Sequence, residues 1–171
     1  MQLIPSWAPN IHPMIIHFPI VLVMLAAAAD LVHLVRPSLR TLSGTSTWLY
    51  SLGALAACAA FLSGRLASST VFIPGMAHSL IENHEQWALA GTIGLALVAV
   101  LRIAARWTRM ADGRGARILL VALGVTVAFV IQQTAERGAR LVYEQGVGVI
   151  PGPVPAASEP LDAPSLDQDS P

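Results

Sequence analysis

Apolar residues fall into four long runs along the chain, and the first and third of the segments that separate them contain several arginines. The runs cover residues 14–35, 47–67, 87–107 and 118–135. A helix needs roughly 20 apolar residues, within a range of about 17 to 25, to cross a hydrocarbon core about 30 Å thick. Each run meets that requirement. The pattern therefore predicts an all-α membrane protein with four transmembrane helices in an antiparallel bundle.

The composition supports a membrane protein and argues against nucleic acid as a partner. Hydrophobic residues make up 54% of the chain and charged residues 12%, about half of the roughly 25% that is typical of soluble proteins. No basic patch is interleaved with aromatic residues, so the lipid bilayer is the expected partner and nucleic acid is not. Beyond Val149 the residues are mainly Pro, Ala, Ser and Asp. This change predicts a transmembrane domain over 1–149 and a disordered acidic tail over 150–171.

The arginines predict an orientation. Seven of the ten lie between spans one and two or around the join of spans three and four: Arg36, Arg40, Arg102, Arg106, Arg109, Arg114 and Arg117. Loops rich in Lys and Arg face the cytoplasm in most membrane proteins. Both termini are therefore expected on the outer side of the membrane, opposite the cytoplasm, together with the long segment 68–86.

Two histidines lie on either side of a proline where the first span begins. Pro13 suits the first turn of a helix, and Pro19 is expected to interrupt that helix and bend the chain near His17. On an ideal helix His12 and His17 point about 140° apart. They would therefore chelate one metal only if the bend reoriented them. Each is expected to reach a partner on another helix, or to be an interfacial histidine that water or backbone satisfies.

His78 and His84 precede the third span, which places all four histidines at one membrane face. Sites in helix bundles are built from side chains on facing helices, so His17 and His84 could face each other. Two opposed imidazoles suit the axial positions of a b-type haem, and imidazole also binds Cu or Zn. His12 and His78 would be supporting or alternative ligands. The alternative is a polar loop whose histidines bind nothing.

Asp30 and His33 are ionisable residues in the second half of the first span. They lie three residues apart and share one helix face. An ionisable residue within a membrane span is costly and is a functional candidate by default. Asp30 could take part in a proton relay, or it could pair with Arg102 from the third span. The structural role, which locks helices together, is the favoured interpretation.

The two ends of the helical region resemble a known family. The run His12-Pro13-Met14-Ile15-Ile16-His17-Phe18-Pro19-Ile20 resembles the HP-x-x-VHFPI opening of the bacterial four-helix membrane family catalogued as domain of unknown function 2231. Residues 138–149 are similar to its closing GGELVY-x-HGVGV, Ser63-Gly64 resembles the glycine-containing end of its second helix, and His84 occupies the place of a family histidine.

The resemblance implies a four-helix protein of the bacterial inner membrane. Some members of the family are fused to Rieske-type iron–sulfur domains, which implies electron transfer with a Rieske-type protein or a cytochrome as redox partner. The chain departs from the family pattern at Ala139 and Arg140, and Gln145 stands where the family has a histidine. If that histidine were a cofactor ligand, the resemblance would leave a single site here.

Three functions remain open from the sequence. The first is a b-type cytochrome-like electron-transfer module that binds haem through His17 and His84. The second is a non-catalytic membrane scaffold or accessory subunit, and the third is metal or proton transport along the same polar residues. The chain has no P-loop, no dinucleotide-binding fingerprint, no H-E-x-x-H and no C-x-x-C-H sequence. No independent enzymatic activity is therefore expected.

Overall fold

A computed structural model describes residues 10–71, 73–108 and 113–149. Within them the chain forms α1 (His12–Ile15), α2 (His17–Val35), α3 (Arg40–Ser68), a short 3₁₀ turn (Gly75–Ala77), α4 (His78–Trp107) and α5 (Arg114–Tyr143). The four long segments are long and apolar enough to cross a membrane. The predicted all-α, four-span fold is confirmed. The predicted tail 150–171 and Arg109 lie outside the described residues.

The helices form a four-membered bundle in which neighbours in sequence are neighbours in space. α2 packs against α3 and α5, and α4 packs against the same two helices. α2 and α4 therefore stand diagonally opposite each other. We call the end at which α1 and α4 begin the histidine end, and the end at which α2 and α4 finish the arginine end. Which side of the membrane each end faces stays a prediction.

The first span breaks where the prolines predict. Asn10 Oδ1 accepts a hydrogen bond of 3.1 Å from the backbone N–H of His12, and Pro13 lies in the first turn of α1. Pro19 has no N–H to donate to the carbonyl of Ile15, and the helix is interrupted at Ile16 between α1 and α2. The predicted interruption next to His17 is confirmed, whereas Ile16 keeps helical dihedrals (φ −59°, ψ −25°) and the bend stays a prediction.

Three of the helices extend well beyond the apolar runs. α3 begins at Arg40, α4 begins at His78 and α5 continues to Tyr143. As a result, His78 and His84 lie on a helix and not in a loop. After α5 the chain turns at Gly146, whose φ of 64° is left-handed. There the N–H of Gly146 donates to the carbonyl of Val142 over 3.0 Å, and this bond closes an αL-type helix end.

The bundle interior is narrow because its inward-facing residues are small. Ala26, Ala54, Ala57 and Ala99 are buried between the helices, and small residues allow transmembrane helices to approach closely. Large apolar side chains such as Leu55, 69% exposed, lie on the outer surface instead. This outward display of leucine, isoleucine and phenylalanine suits a surface that contacts lipid.

Candidate functional site

A bidentate ion pair crosses the bundle diagonally near the arginine end. Arg102 Nη1 donates to Asp30 Oδ2 over 2.7 Å, and Arg102 Nη2 donates to Asp30 Oδ1 over 2.6 Å. The Arg102 side chain is 5% exposed and the Asp30 side chain 3%. Each charge is therefore neutralised by the other inside a region of low dielectric. The predicted pairing of Asp30 with Arg102 is confirmed.

α3 completes this cluster with two residues that the sequence analysis missed. Ser46 Oγ accepts a second hydrogen bond from Arg102 Nη2 over 2.6 Å. The guanidinium carbon of Arg102 lies 4.8 Å from the centre of the Tyr50 ring, which adds a cation–π contact. Ser46 and Tyr50 are both fully buried. Their spacing of four residues places them on one face of α3. This spacing is the sequence feature from which they could have been identified.

The cluster fits tightly against α5 at Gly124. A Cβ atom there would overlap Tyr50 Oη and lie 2.8 Å from Tyr50 Cζ. Tyr50 Oη and Arg102 Nε are buried without a hydrogen-bond partner among the described residues. His33, also buried, has its Nδ1 3.2 Å from the carbonyl of Leu39, to which it can donate. His33 therefore fastens the short α2–α3 connection next to the ion pair.

His12 lies against α3 at the histidine end. Its Nδ1 is 3.0 Å from Ser63 Oγ, while the hydroxyl of Ser63 donates to the carbonyl of Ala60 over 2.9 Å. The single hydroxyl hydrogen is thus used, so Nδ1–H of His12 is the donor to Ser63 Oγ. A Cβ at Gly64 would lie only 3.0 Å from Cε1 of the ring, so the absence of a side chain there makes room for the imidazole.

His84 lies against α5 in an equivalent way. Its Nδ1 is 3.1 Å from the backbone carbonyl of Thr134, and because a carbonyl only accepts, Nδ1–H must be the donor. A Cβ at Gly138 would lie 3.1 Å from Cε1 of this ring. Like His12, His84 is half-buried. The glycines of the two sequence motifs therefore lie where the two imidazoles pack.

The two imidazoles lie at the same end of the bundle and are held in the same tautomer. His84 lies within electrostatic reach of His12. Because both Nδ1 atoms donate, each neutral ring carries its lone pair on Nε2. Neither Nε2 has a hydrogen-bond partner in the part of the chain that the structure describes. A histidine that binds a metal through one nitrogen usually donates its other N–H to a carbonyl, a carboxylate or water.

The histidines and the ion pair occupy matching positions on their helices. His12 precedes Asp30 by 18 residues, and His84 precedes Arg102 by the same number. Eighteen residues make five helical turns and about 27 Å of helix, close to the thickness of a hydrocarbon core. One inward face of each diagonal helix thus carries an imidazole at one end and a member of the ion pair at the other.

The other two predicted histidines are placed differently. His17 is exposed on the same face of α2 as Val21 and Met24, which are 53% and 49% exposed. His78 is exposed at the start of α4, with Nδ1 3.1 Å from the carbonyl of Gly75. The structure therefore places the half-buried His12 and His84 at the same end of the bundle, while the facing of His17 and His84 stays a prediction.

The described residues contain no larger cluster of metal-binding side chains. Within residues 10–71, 73–108 and 113–149, no group of three or more His, Cys, Asp or Glu side chains could hold a metal ion. A protein site for Zn²⁺ supplies at least three ligands and often four. Haem iron receives four nitrogens from its macrocycle and needs only two further ligands. Two imidazoles are fewer ligands than such a zinc site uses and equal the number of axial ligands of haem iron.

Comparison with known proteins identifies a family but gives no activity. The family model described as "Predicted membrane protein (DUF2231)" matches residues 8–151. No curated protein matches the chain. No solved structure matches it either.

Proposed function

The chain belongs to the DUF2231 family of predicted membrane proteins, and we propose that it is a b-type cytochrome-like electron-transfer module. His12 and His84 are the proposed axial ligands, in place of the His17–His84 pair that the sequence favours. The observation that carries the proposal is the shared tautomer: Nδ1–H of each ring is engaged, and each Nε2 is left to bind iron. Haem would supply a one-electron redox couple within the membrane.

The surroundings support a ligand role more than a packing role. Each ring is fixed through one nitrogen and lies against a glycine, Gly64 or Gly138, so its orientation is set before anything binds. Such pre-orientation is the usual contribution of the groups around a metal-binding histidine. The redox partner would be a Rieske-type protein or a cytochrome.

The proposal includes an orientation in a bacterial inner membrane. Arg36, Arg40, Arg106, Arg114 and Arg117 are at the arginine end of the bundle. This excess supports a cytoplasmic arginine end and termini on the outer side. Haem would then lie near the outer face, within reach of a partner outside the cytoplasm.

A second candidate is a non-catalytic membrane scaffold or accessory subunit. Both carboxylate oxygens of Asp30 are engaged by Arg102, so the most buried charges of the chain already serve packing. The same observation weakens the transport hypothesis, since a proton relay needs a carboxylate that can exchange its proton. A scaffold needs no cofactor, so the presence or absence of haem in one purified preparation distinguishes the two functions.

The test is a reduced-minus-oxidised absorbance spectrum of protein purified from haem-replete cells. We expect a sharp Soret and α band with about one haem per chain, as two axial histidines imply. His84→Ala should lose the bands. His78→Ala, a change to an exposed histidine on the same helix, should keep them. Addition of imidazole to His84→Gly should restore them, which separates lost ligation from lost folding. A colourless wild-type protein would support the scaffold instead.

A further inference from the structure

An open cavity of about 300 Å³ lies between α4 and α5 at the histidine end. Two helices alone supply its lining: Leu80 and Asn83 from α4, and Gln133, Glu136, Arg137 and Arg140 from α5. Ligand sites typically have volumes of about 300–1,000 Å³. The cavity is therefore large enough for a small polar group, and the proposed function makes no use of it.

Arg137 is oriented at this cavity by three hydrogen bonds and an aromatic contact. Its Nε donates to Asn83 Oδ1 over 2.8 Å, and its Nη1 donates to the carbonyl and to Oε1 of Gln133 over 2.8 and 2.9 Å. The guanidinium carbon also lies 4.1 Å from the centre of the Trp87 ring. Nη2 of Arg137 has no hydrogen-bond partner among the described residues. A pre-oriented guanidinium with a free N–H is well suited to bind an anionic oxygen.

The remaining lining groups also offer donors. Asn83 and Gln133 accept from Arg137 through their side-chain oxygens, so their amide NH₂ groups remain available. Glu136 is paired with Arg140 across one helical turn, with Oε1 2.7 Å from Nη2. Two arginines and one glutamate leave the cavity with an excess of one positive charge. Donors and charge together fit a singly charged anion such as a phosphodiester.

The position of the cavity connects it to the lipid-facing surface. Trp87 lies beneath Arg137, and tryptophan is enriched at the level of lipid headgroups. Helical spacing places Leu97 on the cavity-lining face of α4 and Phe129 on that of α5, within the apolar region. These two side chains are 58% and 59% exposed. A molecule with an anionic head and a hydrocarbon chain could therefore lie along the groove between α4 and α5.

We propose that this cavity binds the phosphodiester of an anionic membrane phospholipid, with an acyl chain along the α4–α5 groove. Arg137 and Arg140 receive the phosphate oxygens, and the amides of Asn83 and Gln133 donate to the phosphate or to headgroup hydroxyls. Basic pockets between transmembrane helices bind anionic lipid headgroups in this way. The site does not depend on a cofactor at His12 and His84.

The test measures thermal unfolding of delipidated full-length protein in maltoside micelles after addition of three probes. Phosphatidylglycerol should raise the unfolding temperature saturably, because a ligand of the folded state stabilises it. Phosphatidylcholine should raise it much less, and inorganic phosphate at the same concentration should leave it unchanged. Equal shifts with both lipids, or an equal shift with inorganic phosphate, would overturn the assignment.

Three variants sharpen this test. Arg137→Gln should weaken phosphatidylglycerol binding about tenfold, the value of one charged hydrogen bond. Asn83→Asp keeps a hydrogen-bond acceptor for Arg137, so the fold should be retained. The added negative charge cancels the positive excess of the cavity, so lipid binding should be lost. Arg65→Gln is the matched control, because Arg65 pairs with Glu85 at the same end and does not line the cavity. Unaltered binding in Asn83→Asp, or an equal loss in Arg65→Gln, would contradict the proposal.

Discussion

Replacement of Arg102 by methionine should destabilise the folded bundle by about 3–5 kcal/mol, the usual cost of removing one partner from a buried ion pair. The carboxylate of Asp30 would lose both of its hydrogen bonds and remain 3% exposed among apolar side chains. Ser46 would lose its contact with the guanidinium as well. The measurement is reversible unfolding in mixed micelles, followed by far-ultraviolet circular dichroism.

Two further variants show whether the unpaired charge is the cause. The double variant Asp30→Leu with Arg102→Met should recover most of the loss, because exchange of a whole buried pair for apolar residues is often neutral or stabilising. Arg106→Gln removes an exposed arginine of the same helix and should change stability by about 0.5 kcal/mol or less. If the double variant were as unstable as Arg102→Met, the charge-pair explanation would fail.

Gly124→Ala should destabilise the protein by about 1–3 kcal/mol, the typical cost of an extra methyl group in a packed interior. The new Cβ would overlap Tyr50 Oη and press against Tyr50 Cζ. Tyr50 has no exposed surface, so its ring would have to shift against its buried neighbours. Unfolding in mixed micelles measures this change too.

Tyr50→Phe removes the overlapping atom and should restore part of the stability in the double variant. By itself Tyr50→Phe should have a small effect, because Oη has no hydrogen-bond partner among the described residues and the ring remains beneath Arg102. Gly115→Ala is the control on the same helix: a Cβ there meets no atom within 4 Å. Identical losses in Gly115→Ala and Gly124→Ala would show that the Tyr50 contact is not responsible.

The number of helices and the buried ion pair could be predicted from the sequence because both follow from the apolar runs. A span of about 20 apolar residues can only be a helix, and a charge within it needs a partner. Asp30 and Arg102 both lie near span ends that an antiparallel bundle brings together. Ser46, just before the second apolar run, and Tyr50, within it, were missed because neither carries a charge that requires a partner.

The choice between His12 and His17 depends on helix rotation, which apolar runs alone leave open. Once Asp30 is known to face inward, the helical period shows which of the two histidines shares its face. His12 lies five full turns before Asp30 and on the same face, whereas His17 lies about 140° away from that face. The same five turns relate His84 to Arg102. The helix ends could not be predicted from the apolar runs, since α4 continues to His78 and α5 to Tyr143 outside the apolar region.

Electron paramagnetic resonance of the oxidised protein tests the central claim, that His12 and His84 form one axial pair. We expect the wild-type protein to give a low-spin ferric signal, as two histidine ligands produce. His12→Ala should convert this signal to high spin or lose it, while His17→Ala, which changes a lipid-facing histidine five residues away, should leave it low-spin. A wild-type protein without a haem signal, or a low-spin signal that His17→Ala removes and His12→Ala preserves, would contradict the account.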